Sequence, residues 1–357
     1  MVLLKYILFF VFVISSLLFN FTMPTKVIDQ IQMITVVGYD PAERDHIRGT
    51  VVTPVFLQPG EVEDFIYTDT AATVYENRVQ LNAKATEQLL NGKIKAAFYN
   101  QELAEQGIEN FIEYLSRDPS IGGAVYLAVT EGSALELINT AQSSKGRGIY
   151  FNDLINHNIQ HGNLPHINLK EFESSLQSDT CDPFLPMFGL SGGRVELQSI
   201  AFFDDDQYVD KLPIENADIF KILYQNVNDG QYQYKNDTYN VSVENIESAK
   251  NVKVDQKNGN PEVRINVRFR GVIREFTGER ATDRKAEIER VIEQDFKQKA
   301  EDLINRFQEL DIDPLDIEGH VKSSNRNYDK EQFKAAYPEM SINVNTNVKL
   351  TETGTRR

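Results

Sequence analysis

A long apolar stripe near the C-terminus constrains the fold of this chain more than any other feature. Between Arg284 and Leu310, apolar residues recur every three or four positions, which predicts one helix of about seven turns. At about 1.5 Å per residue it is about 40 Å long and needs a covering layer. Apolar and polar residues alternate in Tyr239–Val243, Val263–Phe269 and Ile342–Leu350, as in half-buried strands. The sequence therefore predicts an antiparallel-rich C-terminal sheet crossed by one long helix.

The segment Lys95–Thr140 organises the first half of the chain. Two compact apolar runs, AAFY and AVYLAV, predict buried strands, and helical spacing over Ile108–Leu115 predicts a helix between them. Asp118-Pro119 ends that helix, because proline disfavours a helical residue before it. Glu136–Gln160 is predicted to be largely helical, with a break at Lys145-Gly146-Arg147-Gly148.

Strands and loops are also predicted on both sides of this segment. Upstream, Ile34–Asp40 and Thr50–Phe56 form a hairpin, Glu61–Asp69 an acidic loop, and Thr70–Leu90 a helix closed by Asn91-Gly92. Downstream, Asp182–Pro186 is predicted to be a stiff passage between domains, since two prolines favour extended backbone. Further predictions are a hairpin of Val195–Phe203 and Tyr208–Leu212, and a fold of the α+β class, multidomain, with mixed sheets and packed helices.

Four regions are predicted along the chain. Residues 1–22 are a signal peptide or an N-terminal membrane anchor, 27–190 a mixed α/β domain, 194–235 a hairpin-containing middle region, and 236–357 the sheet with the long helix. The first region is apolar behind one cation, Lys5, and lacks the small residues of a peptidase site, which favours an uncleaved anchor with the acidic body outside.

Composition excludes one class of partner. The net charge of -16 argues against nucleic acid, which is bound through clustered Lys and Arg. The single cysteine, Cys181, permits no internal disulfide.

Two residue sets could in principle hold a metal. His157 and His161 lie four apart on a predicted helix, but Gly162 and Pro165 interrupt the helix before His166. Asp311, Asp313, Asp316 and Glu318 lack the glycine and the spacing of an EF-hand, so an acidic turn at the end of a helix is predicted instead. Asp204–Asp206 is predicted to be a solvated hairpin tip, and no metal site is predicted.

The sequence contains no recognisable catalytic or phosphate-binding motif. Gly146-Arg147-Gly148 and Gly122-Gly123 are too short to cradle a phosphate. Cys181 has no identifiable base, and Ser191-Gly192-Gly193 lacks the strand-to-helix elbow of serine hydrolases. The chain is therefore predicted to be no enzyme and to use no cofactor.

Several short motifs nevertheless resemble one family. Those in the organising segment are Glu102-Leu103-Ala104, Gly107-Ile108, Arg117-Asp118-Pro119 and Glu131-Gly132, and later ones are Asp182–Pro186, Asp313-Pro314, Gly319 and Tyr337-Pro338. In this order they resemble the Ger(x)C proteins, the C subunits of nutrient germinant receptors of endospore-forming bacteria. The resemblance covers residues 27–352.

The resemblance implies a non-enzymatic accessory subunit that is needed for nutrient-triggered spore germination. It would lie on the outer face of the inner spore membrane, anchored there, and assemble with integral-membrane A and B subunits, of which the transporter-like one is the expected nutrient binder. A direct small-molecule ligand is therefore not expected. Relatives carry a lipobox cysteine near the position of Thr22, where this chain has none, so lipidation is not implied.

An extracytoplasmic small-solute-binding protein is the alternative. It would show a ligand cleft between two similar α/β lobes, whereas the two halves of this sequence predict dissimilar structures.

Overall fold

A mixed sheet of eight strands forms the main layer of the protein. The computed structural model describes residues 5–7, 9–12, 14–15, 30–58, 61–257, 260–278 and 281–352. The strands of the first half are β1 (Ile31–Met33), β2 (Val36–Pro41), β3 (Ile47–Gln58), β4 (Glu61–Ala71), β5 (Gln88–Leu90), β6 (Ala96–Asn100), β7 (Tyr126–Thr130), β8 (Phe184–Ser191), β9 (Arg194–Asp204) and β10 (Gln207–Pro213). Their order in the sheet is β10-β9-β8-β7-β6-β2-β3-β4, and β1 and β5 form a separate parallel pair.

The centre of this sheet is parallel and covered by helices. Every residue of β6 is buried, as expected of a strand covered on both faces. The helices that follow these strands are α1 (Val74–Lys84), α2 (Gln101–Gln106), α3 (Glu109–Ser116), α4 (Ala134–Thr140), α5 (Arg147–His161), α6 (Leu169–Leu176) and α7 (Ala217–Tyr224). The strands and helix predicted within Lys95–Thr140 are confirmed, as are the hairpin of β2 and β3 and that of β9 and β10.

Two predictions upstream of β6 were wrong. Glu61–Asp69 is not a loop but forms most of β4, an edge strand that pairs with β3. An edge strand can carry polar residues that face solvent, so its sequence needs no apolar run. The helix predicted over Thr70–Leu90 is shorter. Thr73 caps its start by accepting the N–H of Glu76 at 3.1 Å, and it ends at Lys84, well before Asn91-Gly92.

The passage predicted at Asp182–Pro186 was also wrong, because β8 begins at Phe184 inside the sheet. Pro186 pairs with Ile200 of β9, while the bonds from β8 to β7 begin only at Met187. β8 is not yet paired with β7 at Pro186, so the missing N–H of the proline costs no hydrogen bond on that side.

A second sheet, of four strands, carries the long helix. Its elements are β11 (Gln231–Lys235), β12 (Asn240–Lys257), β13 (Asn260–Phe276), β14 (Ile342–Glu352), α8 (Ala281–Glu309), α9 (Ile317–Ser324) and α10 (Lys330–Ala336). The strand order is β11-β12-β13-β14, antiparallel except for the last pair. The predicted α+β class and C-terminal sheet with a long packed helix are confirmed.

The predicted middle region, 194–235, is shared between the two sheets. Its hairpin continues the first sheet as β9 and β10, and its last strand is β11 of the second. The predicted segment 1–22 lies largely outside the described residues. No helix within the described part of the chain combines the length and apolar character that crossing a bilayer requires.

Glutamates of α8 bond the free edge of β14. Glu289, Glu293 and Glu301 accept the backbone N–H groups of Leu350, Val348 and Val344 at 2.9, 2.9 and 3.1 Å. The helix runs antiparallel to the strand. A step of four residues along α8 corresponds to two residues along β14, and a step of eight corresponds to four. We call this set the glutamate ladder.

Removing the central rung should destabilise the second sheet. Glu293→Ala leaves the Val348 N–H without its acceptor, so we expect the free energy of unfolding to fall by about 1–2 kcal/mol. Urea denaturation measures it. The neighbouring exposed Gln294→Ala brings the same gain in helix propensity and should cost almost nothing; equal losses in the two variants would contradict the ladder.

A buried carboxyl at the start of α7 should make stability depend on pH. Burial raises the pKa of Asp218 to about 7, and the charge of Asp295 acts in the same direction. The folded chain therefore holds a proton that the unfolded chain releases near pH 4, so this group lowers stability as pH rises from 4 to 7.

Asp218→Asn should remove that dependence. We expect the variant to be about 1–3 kcal/mol more stable than the parent at pH 8, with a difference that shrinks steadily from pH 7 to pH 4. Urea titrations across this range test it, with exposed Asp153→Asn as control. A variant less stable than the parent at every pH would contradict it.

Candidate functional site

Three motifs that lie far apart in the sequence meet at one acidic cavity. Asp182 precedes β8, Asp313 follows α8, and Tyr337 follows α10, yet all three line a cavity of about 390 Å³. The β9–β10 turn closes one side of it. We call this cavity the acidic junction; its titratable lining residues are Asp179, Cys181, Asp182, Asp204, Asp205, Asp311, Asp313, Glu318, Lys330, Lys334 and Tyr337.

The Asp-Pro motifs at Asp182 and Asp313 bind each other directly. The N–H of Asp182 donates to the carbonyl of Asp313 at 3.2 Å, and the N–H of Asp313 donates to Asp182 Oδ2 at 2.6 Å. Thr180 Oγ1 adds a bond of 2.7 Å to Asp316 Oδ1. These bonds fix the entry to the first sheet against the loop that leaves the long helix.

The β9–β10 turn brings further carboxylates to the same place. The N–H of Asp205 donates to Asp182 Oδ1 at 3.4 Å, and one carboxylate oxygen from each of Asp182, Asp204 and Asp205 lies within 4.8 Å of the other two. The prediction of a merely solvated tip needs a correction, because Asp206 caps α3: its Oδ2 accepts the N–H of Glu109 at 2.9 Å.

Burial and like charge shift the titration of these groups upward. Burial raises the pKa of Asp182 to about 6, with the charges of Asp204 and Asp205 adding to the effect. Burial likewise raises the pKa of Asp313 to about 7, helped by Asp316 and Asp182. Taking charge out of water is costly, so the junction favours a positive group that would offset its carboxylates.

The thiol beside these carboxyls is kept protonated. Burial, followed by the charges of Asp313 and Asp316, raises the pKa of Cys181 to about 12. A thiol in that state is a poor nucleophile at neutral pH. The junction thus presents mainly carboxylate oxygens, and two lysines at its rim, of which Lys330 pairs with Asp179 at 3.6 Å.

The histidines singled out in the sequence do not converge. His157 and His161 have ring centroids 5.4 Å apart, but Nδ1 of His161 bonds Asp229 at 2.9 Å, and Nδ1 of His166 bonds Glu171 at 2.8 Å. Among the described residues, the one group that brings three possible metal-ligand atoms of His, Cys, Asp or Glu within 4.8 Å of one another is Asp182, Asp204 and Asp205.

The acidic set at the end of α8 divides between two roles. Asp311 and Asp316 have positive φ angles in the turn between α8 and α9, while Asp313 and Glu318 turn inward and are buried. Asp313 Oδ2 accepts the N–H of Glu318 at 2.7 Å. The predicted helix-ending acidic turn is present, and three of its members, Asp311, Asp313 and Glu318, also line the junction.

The glycines of the two motifs allow backbone turns at positive φ angles. Gly192 and Gly193 have φ angles of 56° and 74°, which form the tight turn between β8 and β9. Gly146, with a φ of 85°, precedes α5, and the guanidinium of Arg147 bonds Asp64 at 3.2 Å.

Sequence reasoning missed the junction itself. The Asp-Pro motifs were identified, but 131 positions separate Asp182 from Asp313, and nothing in a single sequence pairs them. The Asp-Pro dipeptide occurs four times in the sequence, at Asp40, Asp118, Asp182 and Asp313, so its repetition does not single out this pair.

Comparisons with known proteins cover nearly the whole chain. The family described as "Spore germination protein N-terminal domain" matches residues 24–190, and "Spore germination B3/ GerAC like, C-terminal" matches residues 198–354. The "Spore germination protein GerQC" of Bacillus cereus is 29% identical over 338 residues, which are 92% of this chain and 94% of that protein. The crystal structure of the GerBC protein has the same fold, with a TM-score of 0.61 at 13% identity, over 88% of this chain and 96% of that one.

Proposed function

Because this chain belongs to the Ger(x)C family of spore germination proteins, the C subunits of germinant receptors, we propose that it assembles with two integral-membrane subunits, A and B, into one receptor. Family members are receptor subunits and not enzymes. The observation that carries the proposal is that both domain families match in order over almost the full length. The chain would act in nutrient-triggered germination through contacts with those subunits.

Features of the structure support a scaffold role. The two Asp-Pro motifs hold the first sheet to the loop after α8, and the single thiol is protonated. Two dissimilar sheets, of eight and four strands, differ from the paired lobes of a solute-binding protein. Transmission of a signal by such a chain would depend on rigid docking surfaces.

Deletion of the gene tests the function. Spores that lack the chain should fail to release dipicolinic acid with the nutrients that the receptor serves, and expression of the intact gene should restore release. Germination triggered by agents that bypass nutrient receptors should be unchanged. Normal nutrient germination without the chain would contradict the proposal.

Purification tests the partners. The tagged full-length chain, extracted from spore membranes in mild detergent, should bring down two polytopic membrane proteins in fixed ratio. Calorimetry with candidate nutrients should give no heat with this chain alone; saturable nutrient binding would instead favour the small-solute-binding alternative.

Location on the outer face of the inner spore membrane forms part of the same proposal, with residues 1–22 as an uncleaved anchor. Mass spectrometry of the mature chain should find those residues retained. A form that begins after residue 22 and leaves the membrane in high salt would contradict it.

A further inference from the structure

A groove between α1 on one side and α2 and α3 on the other leaves part of the core open to solvent. Its volume is about 720 Å³, larger than that of the acidic junction. The floor consists of four apolar residues from different elements, Ile47, Val74, Leu103 and Phe111. Each of them is still 6 to 9% exposed, so the floor continues the core to a surface that solvent reaches. We call this feature the α1–α3 groove.

The outer side of α1 adds exposed apolar surface beside the groove. Tyr75, which lines the groove, is 73% exposed, and Val79, one turn further along the helix, is 55% exposed. Among the described residues of the range 30–352, these are the two highest values for large apolar side chains. Apolar surface that adjoins a concave site is typical of an interaction surface, whereas single exposed apolar residues are common everywhere.

Hydrogen bonds fix both walls of the groove. Thr73 caps α1 by accepting the N–H of Glu76 at 3.1 Å, and Asp206 caps α3 by accepting the N–H of Glu109 at 2.9 Å. At the other end of α3, the side-chain amide of Asn91 donates to Asp118 Oδ2 at 2.9 Å. A groove with walls fixed in this way can bind a partner without the entropy loss of ordering them.

The charges beside the groove favour a cationic partner. α2 and α3 contain no Lys or Arg, and all of their glutamates are exposed, namely Glu102, Glu105, Glu109 and Glu113. The first cation after them, Arg117, already pairs with Glu113. A second copy of this chain, which has a net charge of -16, would be repelled by this wall, as would anionic lipid headgroups. Lys or Arg side chains would be attracted.

The shape of the groove fits one helix. Its walls are helices of eleven and eight residues, which at about 1.5 Å per residue are about 16 and 12 Å long. An amphipathic helix of two or three turns, laid between them, would place on the floor the apolar residues that recur every three or four positions. A planar bilayer cannot reach a floor that lies between two helices, and a small polar solute would leave the apolar floor in water.

We propose that the α1–α3 groove is the docking site for an amphipathic helix of one of the two integral-membrane subunits. The apolar face of that helix lies on the groove floor, and its Lys or Arg residues face α3. Tyr75 packs against the apolar face, and the carboxylate of Glu113 accepts hydrogen bonds from a cation of the partner. This inference rests on the proposed assembly with those subunits and adds the surface and the chemistry of the contact.

Co-purification from spore membranes tests the groove. In the tagged full-length chain, Tyr75→Glu places a charge against the apolar face, and Glu113→Lys reverses a charge on the acidic wall. Each should lower the recovery of one membrane subunit at least about tenfold. Ile149→Glu on α5 and Glu309→Lys on α8 make the same changes at exposed positions elsewhere, and should recover both subunits as the parent does.

Thermal unfolding of the purified variants separates lost docking from lost folding. Tyr75 and Glu113 are both exposed, so both variants should unfold within about 3 °C of the parent. If Tyr75→Glu does not fold, Glu113→Lys and its control decide the question alone.

Photo-cross-linking identifies the occupant. The photoreactive residue p-benzoylphenylalanine, placed at position 75 of the full-length chain, should cross-link to one of the two polytopic subunits. The linked peptide should carry apolar residues three or four positions apart, flanked by Lys or Arg. The same photoreactive residue at position 149 should give no such product.

The possible failures of this proposal can be told apart. Recovery of both subunits at the parent level by Tyr75→Glu and Glu113→Lys would overturn the groove assignment and leave the assembly intact. Absence of both subunits from the parent preparation would overturn the assembly and the groove together. Cross-links from position 75 to a second copy of this chain or to lipid would overturn the proposed occupant, as would nutrient binding that Tyr75→Glu abolishes.

Discussion

Replacing Asp40 by alanine is expected to lower the free energy of unfolding by about 3–5 kcal/mol, the largest effect among the substitutions that we propose. Asp40 is the last residue but one of β2 and is 3% exposed. Its Oδ1 accepts the N–H of Ala134 at 2.7 Å, and its Oδ2 accepts the N–H of Leu135 and the hydroxyl of Ser133, each at 3.0 Å. Alanine would leave the first N–H groups of α4 without an acceptor inside the protein.

The loss should extend to the docking of α4 on the sheet. A Cβ built on Gly38 would lie 2.7 Å from Ile138 Cδ1, so the helix already sits in direct contact with the β2 backbone. A helix held that closely cannot shift to let water reach its freed N–H groups. The carboxylate and the glycine therefore act on the same contact.

Urea denaturation followed by circular dichroism measures this loss. Asp40→Asn keeps one acceptor oxygen and should cost less than alanine, about 2 kcal/mol. Asp153→Ala removes an exposed carboxylate and should change the free energy by less than about 0.5 kcal/mol. If Asp40→Ala unfolded at the same urea concentration as Asp153→Ala, the anchoring of α4 would not depend on Asp40.

Replacing Lys221 by alanine should have the second-largest effect, a loss of about 2–4 kcal/mol. Lys221 lies in α7 and is 3% exposed, and its Nζ donates to the carbonyls of Ile159 at 2.9 Å and Gly162 at 2.6 Å. These carbonyls belong to the end of α5, where a cation is favoured by the helix dipole. Burial lowers the pKa of Lys221 to about 8.

Two variants separate packing from bonding at this position. Lys221→Met keeps most of the volume and removes the donor, so it should cost about 1–2 kcal/mol, less than alanine. Exposed Lys170→Ala serves as control for charge. A methionine variant as unstable as the alanine one would show that the two carbonyl bonds, and not the filled volume, carry the effect.

Periodic patterns explain why some elements could be predicted from the sequence. The stripe over Arg284–Leu310 became α8, and the apolar runs near Lys95–Thr140 became β6 and β7, because each element buries a regular face. β4 was missed since an edge strand has few buried positions to mark it. β8 was missed because Pro183 and Pro186 suggested a passage, whereas the strand holds only Pro186, at a position before its pairing with β7 begins.

The acidic junction could not be predicted for a different reason. Its carboxylates come from a loop before β8, the turn between β9 and β10 and a loop after α8, and no repeat or spacing connects those places. Local reasoning considered Asp311, Asp313, Asp316 and Glu318 as one set. The fold instead divides that set: Asp313 bonds Asp182 and Asp316 bonds Thr180, both in the loop before β8.

The glutamate ladder limits how neighbouring copies of this chain can associate when they are concentrated on a surface. An open strand edge invites the same strand of a neighbouring copy to pair with it. Such pairing is blocked along β14, because carboxylates of α8 already accept the N–H groups at three positions and place negative charge beside them. Copies gathered at high density would therefore meet through their side chains, without merging into a continuous sheet at this strand.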